Sequence, residues 1–230
     1  MSSFFEKTGD FLFPPRCVLC HTPLPIGTRP LLCGRCVKIN APKCAKCAQP
    51  LLLSNNVPRC HHCIVAGRYY DCAYALFSNK GHVKIAMIRF KHHIQKSIGT
   101  ALSAVLAREM CKMGISDKTA DCILCIPNET QNTYRFHPAA FVAKQLSKHI
   151  HVPFYPNILV QTKNAKRVGT CTVHNIRGKF KITSSQKICG KNVILISDLF
   201  VGGRSAIENA RILKKSGAKA VWVFTLASGK

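Results

Sequence analysis

Acidic residues are scarce in this 230-residue chain: 9 Asp plus Glu stand against 34 Lys plus Arg, a formal charge of +25. No acid occurs between Asp10 and Asp71, and none between Glu129 and Asp198. The stretch from Thr130 to Ser197 therefore has no carboxylate to offer a metal or a developing cation. Also missing is any apolar run long enough to cross a bilayer, which predicts no membrane span. The first fifteen residues lack a cationic leader and a small-residue cleavage site, so they do not read as a signal peptide. Their apolar cluster (Phe4, Phe5, Phe11, Leu12, Phe13) is interrupted by Glu6, Lys7 and Asp10 and closed by Pro14 and Pro15. This spacing predicts a short amphipathic helix in a soluble, cytoplasmic protein.

What is present describes a folding chain: 47% of the residues are apolar and 19% charged. The length suits one full core and one small module. The 14 cysteines, with no export signal, point to metal ligands or buried thiols rather than disulfides. The positive excess outlasts metal loading, because eight thiolates on two zinc ions contribute only about −4. Such a field attracts polyanions and makes nucleic acid the leading partner class. The plainer reading is a generally lysine-rich background, since the charges are scattered rather than gathered in a tail.

Four Cys-x-x-Cys pairs, Cys17/Cys20, Cys33/Cys36, Cys44/Cys47 and Cys60/Cys63, form an internal repeat, with twelve residues inside each larger interval and seven between the halves. A two-residue gap lets a tight turn aim both sulfurs at one ion, and a second pair completes a tetrahedron. Two structural zinc sites are expected, by default one from Cys17, Cys20, Cys33 and Cys36 and one from Cys44, Cys47, Cys60 and Cys63; an interleaved pairing uses the same eight ligands. The segment offers little apolar core of its own, so metal is expected to supply most of its folding energy. His61 and His62, inside the last knuckle, read as groups around the site rather than ligands. Arg16, Arg29, Arg35, Lys38, Lys43, Lys46, Arg59 and Arg68 decorate the module with no acid among them, a pattern for phosphate contact rather than catalysis.

Cys122 and Cys125 share the same spacing, yet they sit in a β-rich apolar run, Asp121 to Pro127. Residues three apart on a strand face opposite ways, so these two read as core thiols. The isolated Cys72, Cys111, Cys171 and Cys189 read as core residues too.

From about Tyr70, strands alternate with helices. Strands are expected over 73–77, 122–126, 192–196 and 220–226, and helices over 83–90, 98–110, 136–150 and 205–216. The fold class is therefore α/β, with a mostly parallel sheet covered on both faces. The domains divide as an N-terminal segment 1–15, a double zinc ribbon 16–68 and an α/β domain 69–230. The run Val193 to Ser205 reads as a buried strand, a short glycine loop and a helix, which presents amide groups to a phosphate at the carboxyl edge of the sheet.

Several motifs resemble the ComF family of competence-associated proteins, in which a double zinc ribbon precedes a type I phosphoribosyltransferase domain. They are Phe11-Leu-Phe-Pro-Pro-Arg-Cys17, the four knuckles, Ile88-Arg-Phe-Lys91, Ile126-Pro127, Asn175-Ile-Arg-Gly-Lys-Phe180 and the strand-loop-helix just described. The resemblance covers nearly the whole chain in the same order. It implies a site for phosphoribosyl pyrophosphate at Asp198, Gly202, Gly203, Arg204 and Ser205, with Mg²⁺ accompanying that sugar.

The signature departs from the family, however. Where the family reads Asp-Asp-Val-x-Thr-Thr-Gly-x-Thr, this chain reads Ser197-Asp198-Leu199-Phe200-Val201-Gly202-Gly203-Arg204-Ser205. One of two ribose-holding acids is a serine, and the paired threonines are Val201 and Gly202. The family's Arg-Gly-Phe-Asn-Gln has become Tyr134-Arg-Phe-His-Pro138, losing two side-chain amides. These changes favour a DNA-uptake factor that binds nucleic acid, single-stranded DNA foremost, beside a degenerate sugar-phosphate site. Two other readings stand against it: an active phosphoribosyltransferase, and a zinc-ribbon scaffold recruiting other DNA-uptake proteins.

Overall fold

The computed structural model describes residues 15–28, 31–37, 44, 69–127, 136–162 and 178–229. The expected helix at the N-terminus, and Cys47, Cys60, Cys63, His61, His62 and Cys171, lie outside the described residues. A short helix α1 (Gly34–Val37) closes the first knuckle. The rest runs β1 (Cys72–Ser78), α2 (Gly81–His92), α3 (Lys96–Lys112), β2 (Cys122–Cys125), α4 (Pro138–Ile150), β3 (Leu159–Gln161), β4 (Phe180–Ile182), β5 (Asn192–Phe200), α5 (Arg204–Lys215) and β6 (Ala220–Ser228).

Four strands form a parallel sheet in the order β1-β6-β5-β2, and a bridge from Phe154 to Ile123 extends its far edge. Every residue of β2 is buried, as expected of a parallel strand covered on both faces. On one face Ile123, Ile194, Ile196 and Phe224 pack with α2, α3 and α4. On the other Leu124, Val193, Leu195 and Val223 pack with α5 and the antiparallel β3–β4 pair.

Cys122 and Cys125 point to opposite faces of the sheet, as expected of a strand: Cys122 belongs to one core cluster and Cys125 to the other. Burial pushes their thiols up, to about 11 and about 12, so neither is a ready thiolate. Cys111 and Cys189 differ from expectation, since both are exposed. Cys111 falls beside the apolar stripe of α3 that ends in Leu106 and Met110, and Cys189 sits in the turn preceding β5.

The first knuckle also differs from expectation in having apolar support. Val18, Leu19, Leu24 and Leu32 are buried in the same cluster as Met87 and Phe90 of α2, so it borrows the core of the α/β domain.

Candidate functional site

In the first knuckle the four sulfurs of Cys17, Cys20, Cys33 and Cys36 all lie within 4.8 Å of one another. Cys20 Sγ and Cys33 Sγ are 3.6 Å apart, close to the edge of about 3.8 Å that a tetrahedron with 2.3 Å Zn–S bonds requires. The Cys33 amide donates to Cys17 Sγ and the Cys36 amide to Cys33 Sγ, each at 3.4 Å. Donors aimed at sulfur stabilise thiolate and orient it. The Thr22 hydroxyl, 3.2 Å from Cys20, with the Thr22 amide, holds that thiol down to about 6, while burial pushes Cys36 up. The donor set fits one zinc with no open position, so its chemistry is structural. Of the second expected set, Cys44 is described and is buried on the α5 side of the sheet.

The glycine loop forms the other site. β5 runs four residues past the expected end, through Phe200, because β6 continues beside it until Phe200 is level with Ser228. Ser197 and Asp198 therefore stand on the strand, and the loop proper is Val201 to Gly203. Gly202 and Gly203 have φ of 63° and 69°, the left-handed region that favours glycine. A Cβ on Gly203 would lie 2.5 Å from the Phe200 ring, whereas one on Gly202 would meet nothing. The first glycine is thus open to the cleft and the second is pressed against the strand end. Gly203 is the N-cap of α5, and Arg204, Ser205 and Ala206 of the first turn line the cleft with it, so the free amides of that helix end lie at this site.

The cleft beside this loop has a volume of about 640 Å³, within the range for a small-molecule ligand. Ile126 and Pro127 wall it beyond β2, His137 contributes from the N-cap of α4 and Ala139 from its first turn, and Lys91 enters from the last turn of α2. Asp198, Gly202, Gly203, Arg204 and Ser205 all line it, so the structure brings the five expected residues together. What sequence reasoning missed is Lys91, which pairs with Asp198 Oδ2 at 2.8 Å. The only signal was its place in Ile88-Arg-Phe-Lys91.

The partners of the signature residues limit their chemistry. Asp198 Oδ1 accepts from the Leu199 amide at 2.9 Å, so both carboxylate oxygens are engaged. Ser197 is buried, and its hydroxyl turns back to donate to the Leu199 carbonyl at 3.0 Å. His137 caps α4, its Nδ1 accepting from the Ala140 amide at 3.1 Å. Burial lowers the pKa of this imidazole, against a smaller opposing pull from Asp198.

An aromatic cluster fixes both side chains behind this wall. Phe90, Phe136 and Phe141 pack with centroids 5.4 to 5.8 Å apart, and Phe90 and Phe136 precede Lys91 and His137 directly.

Residues 8–64 match the family model described as "Double zinc ribbon domain". Across its length the chain is similar to the DNA utilization protein YhgH of Escherichia coli (strain K12), 22% identical over 93% of this chain and 96% of that protein. This accords with the resemblance to the ComF family seen in the motifs. Solved structures similar to it include the glutamine phosphoribosylpyrophosphate amidotransferase from B. subtilis, 18% identical with a TM-score of 0.39, covering 55% of this chain and 25% of that one. The chain spans about a quarter of that protein's length. Another is the adenine phosphoribosyltransferase from Thermoanaerobacter pseudethanolicus, 12% identical with a TM-score of 0.40, covering 60% and 83%. No helix among the described residues is long and apolar enough to cross a membrane.

Proposed function

We propose that this chain is a cytoplasmic DNA-uptake or DNA-utilization factor that binds single-stranded DNA through phosphate contacts, and that its phosphoribosyl-pyrophosphate cleft no longer turns over substrate. The observation that carries the reading is the engagement of Asp198. The family's pair of acids would hold the ribose hydroxyls; here one is a serine bonded to its own strand and the other is spent on Lys91. A sugar diol or Mg²⁺ would have to share this single carboxylate with an ammonium and an amide, where the family supplies two acids.

The charge distribution supports the nucleic-acid half. Asp71, Glu109, Asp198 and Glu208 are each paired with a Lys or Arg, and Asp121 accepts from the Asn192 amide at 2.7 Å. Even with every one of the 9 acids paired to a cation, 25 of the 34 Lys and Arg would remain uncompensated, and they set a positive field. Similarity to a protein named for DNA utilization agrees with that polyanion preference. Zinc at Cys17, Cys20, Cys33 and Cys36, and at Cys44, Cys47, Cys60 and Cys63, would hold the basic module in shape.

Gly202 to Ser205 keep the phosphate-cradling loop, which favours the active phosphoribosyltransferase as the second reading. Calorimetric titration with phosphoribosyl pyrophosphate and Mg²⁺, beside single-stranded DNA in the same salt, separates them. We expect DNA binding and no pyrophosphate release with any common base. Robust turnover would establish the enzyme instead, and the absence of DNA binding would favour a scaffold for other DNA-uptake proteins.

A further inference from the structure

We propose that the cleft is a metal-independent receptor for a phosphomonoester on a deoxyribose, the 5′-phosphorylated end of a DNA strand, with Lys91 neutralising Asp198 where a divalent cation would otherwise be needed. The inference rests on the nucleic-acid reading above and names the ligand of its cleft.

A carboxylate beside a phosphate site repels the phosphate unless a cation stands between them. Lys91 Nζ, 2.8 Å from Asp198 Oδ2, is that cation, and it comes from the protein itself. Arg204 adds a second positive group on the loop. Burial keeps His137 toward its neutral form, so the described lining carries one net positive charge, together with the amides at the start of α5. The Lys91 to Asp198 pair is partly exposed, with side chains 32% and 21% accessible. Pairs of this kind contribute little to stability, which leaves this one suited to electrostatics in the cleft.

A cis-diol is held by carboxylate oxygens that accept both hydroxyl protons. Ser197 is buried and commits its hydroxyl proton to the Leu199 carbonyl. Asp198 spends one oxygen on the Leu199 amide and the other on Lys91. A 2′,3′-diol would have to share both Asp198 oxygens with the Leu199 amide and Lys91, with no second carboxylate beside them, so a sugar lacking the 2′-hydroxyl forgoes little by entering.

The loop completes the fit. Gly202 has open space where a Cβ would stand, so a phosphate can approach the backbone there. Val201 is 54% exposed and puts methyl groups where the family has a hydroxyl. It adds apolar surface for the first nucleoside rather than another hydrogen bond. A cleft of about 640 Å³ holds a mononucleotide while its open side lets the strand continue over the basic exterior.

The test compares single-stranded DNA carrying a 5′-phosphate with the same oligonucleotide ending in a 5′-hydroxyl. Both carry a 3′ fluorophore and are bound by the full-length, zinc-loaded protein at fixed salt, with and without Mg²⁺. The phosphorylated strand is expected to bind about tenfold tighter, as one or two charge-assisted bonds imply, and the ratio should not depend on Mg²⁺. Lys91→Ala should bring the ratio toward one, and Lys91→Arg should keep most of it. The 5′-phosphorylated RNA of the same sequence should show no larger ratio than the DNA.

A ratio near one in a protein that binds both strands equally would overturn the inference and leave the nucleic-acid reading standing. A preference seen only with Mg²⁺, or one retained in Lys91→Ala, would also overturn it. Failure to bind either strand would remove the nucleic-acid reading, and this inference with it.

Discussion

Two adjacent glycines make different demands on the loop. Both sit at positive φ, but only Gly203 has the Phe200 ring where its Cβ would be. Gly202→Ala should cost about 1 kcal/mol, the penalty of a left-handed alanine. Gly203→Ala adds overpacking and should cost about 2 to 4 kcal/mol. Denaturant midpoints of the two variants check the order, and equal losses would mean that the ring yields without cost. The Gly-Gly pair was legible as the turn between a strand and a helix, but which glycine is structural was not, because that depends on an aromatic side chain folding back from the strand.

His137 gives a pH dependence with a definite sign. Its folded-state pKa lies below the ordinary 6.5, so the unfolded chain takes up this proton first as the solution is acidified. The contribution to stability is full above pH 6.5 and is lost as the pH falls through the folded-state value. Protonation also removes the acceptor that caps α4. His137→Asn should keep the cap and flatten this part of the profile. Unfolding midpoints at pH 8 and pH 5 should therefore separate more in the wild type than in the variant.

At the scale of elements, α2 is the connecting piece. The Arg89 guanidinium meets the His21 imidazole of the first knuckle, and two residues later Lys91 reaches Asp198 in the cleft. α3 holds it in place at Gly99, where a Cβ would lie 2.3 Å from Phe90 and 2.8 Å from Phe141. Gly99→Ala should destabilise the fold by about 1 to 3 kcal/mol through overpacking. It should also displace Lys91, read as a weaker preference for a 5′-phosphate. A neutral effect on stability would show that the aromatic cluster is slack.

The helices and the four parallel strands were legible because each repeats its apolar pattern over several turns or is buried throughout. The strand ends were less so. β5 and β6 run on to Phe200 and Ser228 because they pair with each other, a tertiary cause that no local pattern carries. The β3–β4 pair was missed altogether: three residues each, Leu159–Gln161 and Phe180–Ile182, are too few to show a period of two. Lys91 escaped notice as a site residue for a similar reason, since its partner lies more than a hundred positions away.

For the whole molecule, the β-rich apolar run around Cys122 and Cys125, and not the cysteine spacing, separated the core pair from the ligand candidates. Cys122 and Cys125 repeat the knuckle interval, yet they face opposite sides of the sheet. Cys122→Ser with Cys125→Ser should leave the zinc content at two ions per chain while costing about 1 to 3 kcal/mol for each buried hydroxyl left without a partner. Elemental analysis of the purified variant checks it, and loss of a zinc equivalent would contradict the strand placement.

The formal charge of +25 is proposed to hold a nucleic-acid strand by its phosphates. The most direct measurement is the affinity of the zinc-loaded protein for single-stranded DNA over a range of salt concentrations. Each phosphate contact contributes about −0.7 to the slope of log affinity against log salt, so four or more contacts predict a slope of about −3 or steeper. A flat dependence, or no binding at low salt, would contradict the account.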